Sequence, residues 1–437
     1  MRPLKSLTFD ALRDLLARTF KKIPDERVPG RVSWQMPAVL MSAFAMLFFQ
    51  HPSLLEYQRR MKKQRGRSNL ERVFNINDVP SDTQMREILD GVPIEPLRRV
   101  LPEVFQRMQR TGWTLRFTTR VEEKDYYTVA FDGSEYFHST TIHCVGCLQR
   151  KDASGQTHYS HVVVSATIVK AGTRDILPLD AEEVRNEEGQ EKQDCEINAG
   201  KRLAKRLRQE HPQLNICITG DDLYAHEPLI ELLRDLRMAF VLVAKPGSHQ
   251  ELFEWVEELE RMGETEHGEW TEGPAGQRRY FKYRIAGQVP LTQSGRVIVN
   301  FIEVWEYDKK AELVYHNSWV TDFEVTGKNA AKIIGIGRSR WKIENEQFNV
   351  HKNHGYELEH NYGHGEKTLS MVFYLLNLLA FLLHKVLEFG DQLYQKCRGQ
   401  DSLRGLWTLL RSAFYLVEVE SWTALLEYYL SDEAAPP

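Results

Sequence analysis

The segment RSRWKIENEQFNVHKNHGYELEHNYGHG, from Arg338 to Gly365, concentrates residues able to do chemistry: arginines, glutamates and four histidines. On an α-helix Arg340, Glu344 and His351 share one face, while Glu346 points elsewhere and pairs with Lys342 one turn before it. Glu344 is therefore the acid with a reactive setting. Arg340 can hold that carboxylate, or a substrate phosphate, through two parallel N–H···O bonds. Two more acids stand where strands end, Asp132 in YTVAFDGSEYF and Asp221 in NICITGDDLYA. A carboxylate on an apolar strand is costly to bury without a cation beside it, and strand ends present side chains from a rigid backbone. Two strand-end aspartates and a helical glutamate form an all-oxygen donor set suited to Mg²⁺ or Mn²⁺. A pair of such ions, about 3.5–4 Å apart, can activate the attacking oxygen and stabilise the leaving one in phosphodiester chemistry.

Two other groupings carry chemistry. Cys144, Cys147, His158 and His161 are spaced C-x2-C-x10-H-x2-H, a pattern like that of structural Zn²⁺ ligands. Against zinc, His158 and His161 on a regular strand point to opposite faces, so a hairpin without metal is the competing expectation. His351, His354, His360 and His364 are separated by Gly355 and Gly363, and are expected to touch phosphate or cap helix ends rather than bind metal. The span YQRRMKKQRGRSNLERV collects Arg59, Arg60, Lys62, Lys63, Arg65, Arg67 and Arg72. It reads either as a solvated helix end or as a patch that contacts a nucleic-acid backbone.

The elements that must position these residues change along the chain. Up to Gly112 the sequence predicts short helices: Phe9–Lys22, Trp34–Gln50, Ser53–Gln64, Ser81–Gly91 and Ile94–Gln109. WTLRFTT, DYYTVAFDGSEYFHS and HYSHVVVSATIVKAG read as strands, followed by helix–strand alternation through SHQELFEWVEELERMG. A β-rich stretch from Glu264 to Thr326 interrupts that alternation, and the remainder is helical. With 437 residues the chain is expected to have two to four folded units, and with a net charge of -4 any nucleic-acid contact must come from local patches. Its five cysteines do not make a disulfide framework. The run Leu369–Val386 approaches membrane-spanning length but contains Asn377 and His384, and is expected to be a buried core helix.

Arg340, three residues, Glu344 and a basic residue two turns later resemble the tyrosine-arginine-glutamate-lysine signature of DDE transposases from bacterial insertion sequences. FDGSEYF resembles their first-aspartate strand and GDDLYA their second-aspartate motif, in a register that selects Asp221 over Asp222. The signature's tyrosine position is Gly337 here; its lysine position is His351, with Lys352 one step later. The resemblance runs from about Thr114 to Arg398. It implies an α/β fold with an RNase H-like catalytic core, a mixed sheet flanked by helices. A β-rich insertion interrupts that core, and an N-terminal all-helical DNA-binding domain precedes it. The expected units are 1–112, the helical domain; 113–263, the first part of the core; 264–326, the insertion; and 327–437, the completion of the core with C-terminal helices. The implied activity is DNA transposition, in which Asp132, Asp221 and Glu344 hold two Mg²⁺ (or Mn²⁺) ions for cleavage and strand transfer.

In that reading Arg340, His351 and Lys352 steady phosphates, while Arg59, Arg60, Lys62, Lys63, Arg65 and Arg67 bind DNA. The implied partners are transposon-end and target double-stranded DNA and a second copy of the chain in a synaptic complex. The implied setting is the bacterial cytoplasm and nucleoid, with no membrane. Related enzymes stack a tryptophan of the insertion on a flipped base, and Trp270, Trp305 and Trp319 lie in this region. The alternatives are a domesticated, catalytically inactive DNA-binding protein and a host RNase H-like nuclease such as a junction resolvase.

Overall fold

Strand-forming runs rich in β-branched and aromatic residues build the centre of the protein. In the computed structural model, which describes residues 5–28, 30, 32–186, 193–360 and 362–431, eleven strands join one mixed sheet. They are β1 (Thr118–Val121), β2 (Lys124–Ser139), β3 (Leu148–Lys151), β4 (Thr157–Ile168), β5 (Leu177–Val184) and β6 (Ile216–Gly220). After these come β7 (Ala239–Val243), β8 (Glu266–Glu272), β9 (Arg279–Pro290), β10 (Ile298–Tyr307) and β11 (Leu313–Thr321). The path across the sheet is β3-β4-β2-β6-β7-β11-β10-β9-β8, with β1 added to β2 and β5 to β4. Among the described residues only β2–β6 and β6–β7 pair in parallel. Parallel neighbours require crossovers, and helices Glu196–Glu210 and Glu227–Asp235 lie on the connections that enter β6 and β7.

β2 is a central strand, and its Tyr127–Phe131 run is buried without alternation because both faces are covered. The β-rich stretch expected as an insertion is a four-strand antiparallel meander, β8 to β11. It continues the sheet, because β11 pairs with β7 and sets Trp319 opposite Val243. WTLRFTT divides differently from its expected single strand: Trp113–Phe117 is a 3₁₀ turn that leads into β1.

The regular elements of the described residues before Gly112 are all helices, joined by turns. The expected helix Ile94–Gln109 breaks at Arg99 into Ile94–Arg98 and Val100–Arg110. Pro102 then falls in a first turn, where its missing N–H has no bond to lose. The basic span contributes a helix of its own, Gln64–Phe74, hard against Leu54–Met61. Gly66 permits that contact, since a Cβ there would lie 2.5 Å from the Arg60 carbonyl oxygen.

Helix Leu369–Gly390 is apolar on every side because it is enclosed on every side; 89% of its most apolar window is buried. It packs against Met36–Phe48, which is equally apolar, and against β5. Aromatic contacts join the two ends of the chain into one core: Phe9 stacks on Trp422 at 4.8 Å and Phe48 meets Trp407 at 5.2 Å. A buried ion network ties these helices to the sheet. Arg98 stands 3.3 Å from the enclosed Asp180 of β5, which also pairs with Arg206.

Candidate active site

The parallel pairing of β2 and β6 sets the geometry of the site. Ala130 lies opposite Thr219, so two residues further along both strands Asp132 and Asp221 arrive level, at the same edge. Adjacent strands lie about 4.8 Å apart, close enough for two carboxylates to share a cation. The Gly133 N–H donates to Asp132 Oδ1 at 3.0 Å, and the Leu223 N–H donates to Asp221 Oδ1 at 3.1 Å. Asp222 turns away to Lys245 (3.2 Å) and Ser248 (3.0 Å).

Glu344 approaches from the segment after helix Ala330–Arg338. Arg340 lies between the acids: its Nη1 is 3.0 Å from Asp132 Oδ2 and 2.6 Å from Glu344 Oε1. Burial pushes the Asp132 carboxyl up to about 7; Arg340 opposes that rise, while Glu344 and Asp221 add to it. Burial also raises Asp221, against the pull of Arg340 and with a push from Asp222. Three carboxylates face one guanidinium, so an ionised site has a deficit of positive charge. This donor set suits hard divalent cations.

A fourth acid belongs to this cluster and was not singled out from the sequence. Glu196, in the first turn of its helix, packs against Gly133 so closely that a Cβ there would lie 2.2 Å from Glu196 Oε2. Burial and then Asp221 raise its carboxyl. Its one sequence signal is an acid opening the helix that precedes the second-aspartate strand.

Ile343–Phe348 forms a π-helical turn that continues as an α-helix through Asn353. Such a turn adds about one residue to the register, so the position two turns beyond Glu344 passes from residue 351 to residue 352. The expectation for His351 is corrected accordingly. It is fully enclosed against Tyr356 and Phe381, and burial lowers its imidazole to about 3, which removes it from phosphate. Lys352 is partly exposed and pairs with Glu359 at 2.8 Å. Gly337, in place of the signature's tyrosine, has its own cause: a Cβ there would lie 2.4 Å from Trp319 Nε1.

Trp319 is fully buried and cannot stack on a base in this conformation. Trp270 stacks on Phe281 and Trp305 on His316, each half-buried. Trp341, beside Arg340, is 44% exposed.

The basic residues sit on and beside the tight turn between the third and fourth helices. Arg60 pairs with Glu56, Arg65 donates to the Leu416 carbonyl, and Arg67 stands near Asp78. Arg59, Lys62 and Lys63 are exposed and have no ion-pair partner among the described residues. The Cys/His expectation is corrected at one ligand. Cys144, Cys147 and His161 converge, but His158 faces away, between His138 (2.9 Å) and Asp152 (3.0 Å). The fourth member is His364. Comparison of the sequence with protein-family models and with curated proteins finds no match.

Proposed function

We propose that the protein is a DNA transposase of the DDE type, with Asp132, Asp221 and Glu344 as its catalytic carboxylates. The observation that carries this reading is their convergence: Asp132 and Asp221 end level on two parallel strands, and Arg340 joins Asp132 to Glu344 of the helical segment. A mixed sheet flanked by helices, with the acids at the ends of its parallel strands, is what an RNase H-like core requires.

Two Mg²⁺ or Mn²⁺ ions held by these acids would supply an activated attacking oxygen and stabilise the leaving oxygen. The chain's own residues do the rest. Arg340 bridges Asp132 and Glu344, fixing the distance between strand and helix, and its remaining N–H groups can hold a phosphate oxygen. Lys352 offers a further cation on the continuation of the same helix. The exposed turn bearing Arg59, Lys62 and Lys63 would contact the DNA backbone, which binds the terminal repeats without itself reading their bases. Two copies would bring two ends together and join them to target DNA in the cytoplasm.

The test uses purified protein and a plasmid that carries the inverted repeats flanking its gene. Mg²⁺-dependent cleavage at the repeat ends, lost in Asp132→Asn and Glu344→Gln, is the expected result. Binding without cleavage under all divalent-metal conditions would instead identify an inactive DNA-binding descendant. Cleavage indifferent to the repeats but dependent on branched DNA would identify a host nuclease.

A further inference from the structure

We propose that Cys144, Cys147, His161 and His364 bind a structural zinc ion that staples the β2–β4 connection to the segment following the catalytic helix. The four ligand atoms lie within 4.8 Å of one another. Cys144 Sγ is 3.9 Å from Cys147 Sγ and 3.6 Å from His161 Nε2; Cys147 Sγ is 3.5 Å from His161 Nε2 and 3.3 Å from His364 Nε2. The two Nε2 atoms are 3.0 Å apart. A tetrahedron with zinc–sulfur bonds of about 2.3 Å and zinc–nitrogen bonds of about 2.0–2.1 Å has sulfur–sulfur edges of about 3.8 Å. Its sulfur–nitrogen edges are about 3.5 Å and its nitrogen–nitrogen edge about 3.3 Å. The five edges given above lie within a few tenths of an ångström of that pattern, and the sixth, between Cys144 Sγ and His364 Nε2, is within 4.8 Å.

The surroundings are those of a metal site. Each imidazole turns Nε2 inward and Nδ1 toward an oxygen: Glu183 Oε1 stands 2.9 Å from His161 Nδ1, and the Gly365 carbonyl 2.6 Å from His364 Nδ1. An oxygen beside each Nδ1 favours a proton there, and so the tautomer whose Nε2 lone pair is free to bind metal. The Tyr136 hydroxyl donates to Glu183 at 3.1 Å and fixes that carboxylate in turn. Asn186 Nδ2 donates to the Cys147 carbonyl at 2.9 Å, and Phe137 packs on both imidazoles. Cys147, His161 and His364 are buried, while Val145 at the turn between the cysteines is exposed, leaving one side for metal to enter. Two sulfur and two nitrogen ligands with every position filled by protein describe a structural zinc site.

The site joins parts that are far apart in the sequence. Cys144 and Cys147 lie between β2 and β3, His161 is on β4, and β2 carries Asp132. His364 lies between the catalytic helix and Leu369–Gly390, and the amides of Glu366, Lys367, Thr368 and Leu369 are all held by Asp90. Zinc would thus anchor one end of this strap to the sheet while Asp90 anchors the other to the N-terminal helices. This proposal does not depend on DNA cleavage.

Zinc content of the purified full chain, measured by plasma mass spectrometry after dialysis, tests it. The expected result is close to one zinc per chain in the wild type and in His158→Ala, and less than a tenth of that in His161→Ala and His364→Ala. His364→Cys, which offers thiolate in place of imidazole, should retain the metal and guards against simple misfolding. Growth on cobalt should give the visible bands of tetrahedral Co²⁺ together with thiolate-to-cobalt charge transfer. Wild-type protein that neither contains nor takes up zinc, or a His158→Ala variant that loses it as His161→Ala does, would overturn the assignment.

Discussion

Replacing Asp132 by asparagine should make the metal-free protein more stable at pH 8, although it destroys the proposed chemistry. Burial, with Glu344 and Asp221 nearby, lifts the Asp132 carboxyl from 3.8 to about 7. Between those values the folded protein binds a proton that the unfolded chain has released, so wild-type stability falls as pH rises through the window. At about 1.4 kcal/mol per tenfold change in proton affinity, the ionised carboxylate costs the fold about 4 kcal/mol at most once pH exceeds 7. Asparagine, shaped like the protonated acid, removes that cost. Arg340 does not become an orphan charge, because it retains Glu344 at 2.6 Å. The variant's advantage should therefore be near zero at pH 4, grow up to pH 7 and stay level above it. Mg²⁺ reverses the comparison: a bound cation stabilises the wild type by mass action, and the variant should lose most of that gain. Denaturant melts from pH 4 to 8.5, in EDTA and in Mg²⁺, measure both effects. A variant that is less stable than wild type at every pH, or equally stabilised by Mg²⁺, would refute the idea that the buried Asp132 belongs to a cation-binding carboxylate cluster.

Neutralising Arg59, Lys62 and Lys63 together should weaken binding to repeat-end duplexes and reduce the log–log salt slope by about 2.7, at about 0.9 per phosphate contact. An unchanged slope in fluorescence anisotropy would place the DNA contact elsewhere. Gly337→Ala puts a methyl group 2.4 Å from Trp319 Nε1. Overpacking of this kind should cost about 1–3 kcal/mol, read as a lower denaturation midpoint; an unchanged midpoint would mean that Trp319 can move aside.

The acids were legible because each rests on a local signal. Asp132 and Asp221 end apolar strands, and Glu344 follows Arg340 by one helical turn. The zinc ligands were legible only in part. Cys144 and Cys147 are near neighbours in the chain, and strand alternation already separated His158 from His161, but His364 is 203 residues from His161. Glu196 has only an unremarkable place in a first helical turn, and it joins the site because Gly133 leaves room for its carboxylate. Residue pattern places no helix between Gln64 and Ser81, whereas contact with Leu54–Met61 and the C-terminal helices makes Gln64–Phe74 helical.

Periodicity and residue type alone indicate most of the succession of helices and strands, the enclosure of Leu369–Gly390 and three carboxylates that the fold brings to one site. Tertiary structure decides which residues meet. Parallel register brings Asp132 level with Asp221, a π turn carries His351 into the core and advances the helix face to Lys352, and chain folding substitutes His364 for His158. The division has a physical cause. Helical and strand preferences are set by neighbours within a few residues, whereas a metal site or catalytic cluster depends on side chains that packing alone brings within a few ångströms.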